Sequence, residues 1–209
     1  MKKYPTAAVI ISIMLLAFIF SQCNENESKS GGTSNQMDTS VVATSYGGFD
    51  SPVKWGEHLV ILGGCNDCHT PKKMTAMGPM DDSSLLLSGH PANMPPPDVD
   101  RKDLESKGIS ATSTLTAWVG PWGISYAANL TPDSTGIGNW TEDQFLLCLR
   151  QGKAKGIATN RQLLPPMPWR ALATLSDDEL KAIFAYLKSN KPIKNIVPAA
   201  AFPVLMKHN

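Results

Sequence analysis

An apolar run from Thr6 to Phe20 follows Lys2 and Lys3 near the start of the chain and ends at Ser21-Gln22-Cys23. Beyond it the sequence turns polar. Residues 24 to about 50 are rich in Ser, Asn and Gly and carry no hydrophobic period, the pattern of a flexible tether. Helical periods begin further on. Residues 56–64 place Leu59, Val60 and Leu62 on a short amphipathic helix. Thr141 with Gln144 makes a capping box that opens a helix over 142–151, with Phe145, Leu146 and Leu149 as its apolar face. Ser176 with Glu179 makes a second box, opening a helix over 177–189 with Leu180, Ile183, Phe184 and Leu187 on one stripe. Asn190 and Pro192 end it. Between these elements, residues 70–128 are rich in Met, Pro, Gly and Ser and predict only one weak helix, near 100–106. Met94-Pro95-Pro96-Pro97 predicts an extended polyproline stretch, and Trp118, Trp122 and Tyr126 are spaced as loop anchors. No strand run or hairpin signal is legible, so the pattern predicts an all-α fold with long loops.

Composition narrows the class. The chain has 209 residues, enough for one ordinary domain with targeting and linker segments, and 42% hydrophobic content excludes global disorder. Nineteen Lys and Arg oppose 18 Asp and Glu. A near-neutral chain gives no basic footprint, so nucleic acid is not an expected partner.

The N-terminal apolar run is too short for a membrane span of about 20 residues and reads as a signal-peptide core over residues 1–22. The position of Cys23 resembles the lipobox of bacterial lipoproteins, in which that cysteine carries the lipid and begins the mature chain. Phe20 and Gln22 depart from its usual residues. An uncleaved anchor and an ordinary signal peptide are the other readings, and all three place the remaining chain outside the cytoplasm. The expected organisation is a lipid-anchored tether over 23–50, a domain over 51–192 with a loop-rich insertion at about 70–128, and a C-terminal extension over 193–209.

The chemistry starts at Cys65-Asn66-Asp67-Cys68-His69, the c-type haem attachment pattern. Two thiols three positions apart on a helical turn reach the two vinyl groups along one haem edge, and the next imidazole rises under the iron as its proximal ligand. A zinc site would need a second Cys or His pair at ligand spacing, and none follows. A thioredoxin-like redox pair would sit in a βαβ pattern, which is absent. A disulfide between the two cysteines would leave His69 unexplained. One motif implies one covalent haem c and one iron. Cys148 sits in an apolar helical setting and reads as an inert thiol.

A six-coordinate iron needs a second axial ligand, and six candidates lie downstream: Met74, Met77, Met80, Met94, Met167 and His90. Met167 stands out within Leu163-Leu164-Pro165-Pro166-Met167-Pro168-Trp169, where prolines on both sides stiffen the loop that presents it. The main competitors are His90 and Met80.

The haem motif on a first helix, a Met in a Pro-rich loop and an amphipathic last helix resemble the class I cytochrome c domain. Asn129-Leu130-Thr131-Pro132-Asp133, Thr135 to Trp140, Phe145 to Gly152, Pro166-Met167-Pro168-Trp169 and Leu175 to Leu187 are similar to the cytochrome subunits of membrane-bound alcohol and sugar-acid dehydrogenases. The resemblance covers about 50–192. Those subunits usually carry three haem domains, whereas this chain has one motif, and about 70 residues separate His69 from Trp140. The resemblance implies the fold and the axial pair, and redox proteins as donor and acceptor. It leaves the dehydrogenase partner open.

The expected function is electron transfer, not catalysis, by a haem with both axial positions filled, in a protein tethered to a bacterial membrane. A haem enzyme or gas-binding protein with an open distal position is the alternative. The purified, denatured protein is expected to weigh one haem more than its chain, and Cys65→Ser to prevent normal maturation. An unaltered chain mass would sink the attachment reading.

Overall fold

The computed structural model of the chain describes residues 46–204. The signal peptide, Cys23 and nearly all of the tether lie outside the described residues. No helix among the described residues is long and apolar enough to cross a membrane.

Helix α1, Pro52–Leu62, begins four residues before the hydrophobic period suggested. Ser51 accepts a hydrogen bond from the Lys54 N–H, and Pro52 occupies the first turn, where a missing N–H costs nothing. Leu59 and Val60 are buried, whereas Leu62 is 73% exposed and does not share their face. Gly63 and Gly64 end α1, and Gly64 takes a left-handed φ of 62°. The break lets a new helix, α2, start at once over Cys65–His69.

The last long helix, α6 (Asp177–Ser189), packs against α1, and α4 (Glu142–Gln151) lies beside both α6 and the short α5 (Trp169–Leu172). Both predicted capping boxes are made in full. The Gln144 N–H donates to Thr141 and the Thr141 N–H to the Gln144 side chain, and Ser176 and Glu179 repeat the exchange. The core gathers Leu59 and Val60 of α1, Phe145 and Leu149 of α4, and Leu180, Ile183, Phe184 and Leu187 of α6, with Leu87 and Ile137 from the loops. At Gly56 a Cβ would lie 1.9 Å from the Ala182 carbonyl oxygen. The two helices therefore cross with backbone nearly touching backbone.

The insertion differs from the all-α expectation. It holds two antiparallel hairpins: β1 (Lys72–Thr75) with β2 (Gly78–Asp81), and β3 (Ala117–Gly120) with β4 (Gly123–Tyr126). Each strand has four residues, too short to show a period, and β3 and β4 are buried on both faces. Both turns close at glycines with positive φ, Gly78 and Gly123. The weak helix is present as α3, Arg101–Lys107, capped by Asp100.

Residues beyond α6 return across the insertion. Ala201 exchanges both backbone hydrogen bonds with Ile124, and the Val204 N–H donates to the Glu105 carboxylate. Asn195 donates to the carbonyls of Ser88 and His90 and accepts from the Ala92 N–H.

Gly56→Ala is expected to force α1 and α6 apart and to cost about 3 kcal/mol, the upper part of the range for overpacking. Denaturant unfolding of the haem-loaded protein checks this; an unchanged midpoint would show that the helices do not cross there.

Candidate metal centre

Helix α2 presents Cys65, Cys68 and His69 within five residues. Thr70 closes it by donating its N–H to the Asn66 carbonyl, and the Lys72 ammonium donates to the carbonyls of Asn66 and Thr70. A cation at a helix C-terminus satisfies the orphaned carbonyls. Asp81, 2.6 Å away across the first hairpin, holds that lysine in place.

His69 is buried, and its Nδ1–H donates to the Ala128 carbonyl at 2.7 Å. Desolvation lowers its pKa, so the ring is neutral. With the proton on Nδ1, the Nε2 lone pair has no hydrogen-bond partner among the described residues. This is the state a metal-bound imidazole requires, with its other nitrogen fixed by a backbone carbonyl. Cys65 and Cys68 are free thiols. Burial pushes the Cys65 thiol up to about 11 and raises that of Cys68, so both are neutral. Free, neutral thiols are what addition to vinyl groups consumes.

Ala128 is placed by two neighbouring segments. The backbone of residues 87–90 runs between the end of α2 and residues 127–130. Leu87 N–H donates to Thr70, Gly89 N–H to the His69 carbonyl, His90 N–H to the Ala127 carbonyl, and Leu130 N–H to the Leu87 carbonyl. Gly89 has φ of 78°, and a Cβ there would lie 2.6 Å from the Ala127 carbonyl oxygen. Only glycine permits this approach. On the other flank the Asn129 side chain accepts from the N–H and hydroxyl of Thr131 and donates to the Ile193 carbonyl.

Met167 is half-buried and packs against the same core as Cys65, Trp140 and Leu146. Its loop, residues 162–170, lines a cleft of about 340 Å³. Cys65, Cys68 and His69 do not line that cleft; Cys65 packs against the same hydrophobic core as Met167. The other candidates are placed differently. Met74, Met77 and Met80 sit on the first hairpin and are 79%, 91% and 51% exposed. His90 is fully buried with both nitrogens engaged: Nε2 donates to the Met94 carbonyl and Nδ1 accepts from the Thr116 hydroxyl, each at 2.9 Å. Its ring also packs on Tyr126. Met94 lends its carbonyl to that contact. Cys148 is buried in α4, and burial pushes its thiol up to about 11 as well.

The donor set fits a covalently held haem: two free thiols, an imidazole with its outer nitrogen open, and a half-buried thioether beside the same core. No group of three or more His, Cys, Asp and Glu side chains among the described residues could hold a bare ion.

No family model matches the chain. Over 177 residues, 80% of its length, it is 38% identical to the cytochrome c subunit of the quinone alcohol dehydrogenase of Gluconobacter oxydans. Over 150 residues (71%) it is 39% identical to the fructose dehydrogenase cytochrome subunit of Gluconobacter japonicus. Over 138 residues (66%) it is 31% identical to the gluconate 2-dehydrogenase cytochrome c subunit of Pantoea cypripedii. The chain spans 29%, 23% and 23% of these relatives, under a third of each. The relatives suggest a cytochrome c fold, and the structure is helical with two small sheets. The resemblance read over about residues 50–192 is to these dehydrogenase cytochrome subunits, and the comparisons bear it out.

His90→Ala is expected to lower unfolding stability by about 2–3 kcal/mol, because it strips two hydrogen bonds from a buried site. The visible spectrum of the haem-loaded variant should match wild type. A changed axial-ligand spectrum would instead make His90 the iron's partner.

Proposed function

We propose that this chain is a one-electron carrier, with a single haem c attached through Cys65 and Cys68 and held axially by His69 and Met167. The observation that carries the reading is the His69 ring, whose Nδ1–H is committed to the Ala128 carbonyl while Nε2 stays open beside two free thiols. The relatives' names supply the class: each is a cytochrome subunit of a dehydrogenase.

When bound, the haem supplies reversible one-electron storage on its iron. The chain does the rest. Cys65 and Cys68 fix one edge of the group, His69 fixes its orientation, and the core beside Met167 keeps water away. Were Met167 to hold the iron together with His69, its thioether would favour the reduced state and raise the potential relative to a second imidazole. With His69 and Met167 both holding the iron, no position would remain for a substrate, and the chain would move electrons instead of transforming a ligand.

The electron donor we propose is a dehydrogenase or another redox protein, because the relatives serve such complexes. The place of action is extracytoplasmic, with the chain held at a bacterial membrane through a lipid on Cys23, which lies outside the described residues.

Spectra of the ferric protein are expected to show the sulfur-to-iron charge-transfer band of methionine ligation, and Met167→Ala to abolish it. A five-coordinate, high-spin wild-type spectrum would overturn the carrier reading in favour of an open-site haem protein.

A further inference from the structure

The Pro-rich loop that presents Met167 has few means of holding itself. Pro165, Pro166 and Pro168 have no N–H to donate. The Met167 N–H turns back to the Leu164 carbonyl, inside the loop. Upstream, Leu163 donates to the Gly152 carbonyl, and downstream the Pro168 carbonyl accepts from Ala171 and Leu172 of α5. Among the described residues, one hydrogen bond ties 164–167 to another element: the Ser125 hydroxyl donates to the Pro165 carbonyl at 2.6 Å.

Ser125 lies in β4, is 7% exposed, and is itself aimed. Its Oγ accepts from the Trp122 indole N–H at 3.0 Å, so its proton points at Pro165. The Trp122 ring lies over Gly120, where a Cβ would come within 2.7 Å of it. Behind Ser125, Ile124 is bridged on both sides of its peptide to Ala201. The hydroxyl therefore sits on a hairpin clamped from behind, not on a free loop.

We propose that Ser125, oriented by Trp122, is a positioning residue for the distal ligand, and that one task of the 70–128 insertion is to hold the Met167 loop closed. This rests on Met167 being the iron's ligand. Any opening of residues 164–167 away from the core would break the Ser125–Pro165 bond. Exogenous imidazole, which occupies the position methionine vacates, reads the opening directly.

The test follows imidazole binding to the ferric protein through loss of the sulfur-to-iron band. Ser125→Ala is expected to raise the apparent affinity for imidazole about five- to tenfold, the worth of one buried hydrogen bond. Trp122→Phe keeps the ring and removes its N–H; it should move affinity in the same direction by less. Thr112→Ala is the control, since its hydroxyl donates to the Ala117 carbonyl in the same insertion and makes no bond to the 162–170 loop. It should leave imidazole affinity at the wild-type value. Equal affinity in Ser125→Ala and wild type overturns the proposal, as does an equal gain in Thr112→Ala, which would reflect general loosening. Should Ser125→Ala fail to mature, Trp122→Phe against Thr112→Ala decides on the same terms. A wild-type protein without the sulfur band would instead overturn the Met167 assignment itself.

Discussion

The hydrogen bond from His69 to the Ala128 carbonyl joins groups 59 residues apart, and residues 87–90 of the insertion help to deliver it. An imidazole needs its proton on one chosen nitrogen and its plane in one orientation before it can serve a metal. Ala128 contributes only a backbone oxygen, so its position must be imposed by neighbours. Thr116, Leu87 and His90 bond the backbone on either side of it, Gly89 lies flat against the peptide that carries it, and Asn129 locks the turn that follows. His90 is part of that frame. A buried histidine bonded at both nitrogens stiffens the segment that crosses α2.

The helical part of the molecule and the insertion are stabilised by different physics. Helices α1, α4 and α6 bury a contiguous apolar cluster, the close crossing at Gly56 seats α1 on α6, and Gly63 and Gly64 end α1 where α2 begins. The insertion and the turn after it are richer in buried polar groups: Thr70, Ser88, His90, Thr116 and Ser125 in the insertion, then Asn129 and Thr131. Among the described residues only Arg101 Nε is a buried side-chain donor without a partner. A satisfied polar network costs more to distort than an oily one, because every displaced group is left without water or partner. That suits a segment whose task is positional.

The parts of this design that live in side-chain type were legible in the sequence. Two capping boxes fixed the starts of α4 and α6 to the residue, because capping is a local exchange between side chain and backbone. The Cys65-x-x-Cys68-His69 spacing was likewise readable as a local pattern, and the structure places all three residues on one short helix. The start of α1 was missed because Ser51-Pro52 precedes the apolar period, and Leu62, at the helix end, is exposed. The hairpins were missed because four-residue strands are too short to show a period: β1 and β2 are mostly exposed, and β3 and β4 are buried on both faces. Ala128 left no trace at all, since a carbonyl oxygen is common to every residue. Gly89 and Asn195 carried the only available signals, a glycine beside a histidine and a lone amide beyond the last helix, and both gain meaning only once distant segments meet.

The same logic explains why the segment after α6 turns back across the insertion. A stiff loop reduces the entropy that Met167 loses on being held, and three prolines provide that stiffness. They also remove the donors by which a loop usually anchors itself, so the anchor has to come from outside, to a carbonyl. Ser125 can supply it only if β4 is fixed, yet a two-stranded hairpin is marginal alone. Ala201 adds a bridge on the free side of β4, and Val204 and Phe202 fasten the returning segment to Glu105 and Arg101 of α3. The C-terminal segment is thus a support for the hairpin, the hairpin for the proline loop, and the loop for the sulfur.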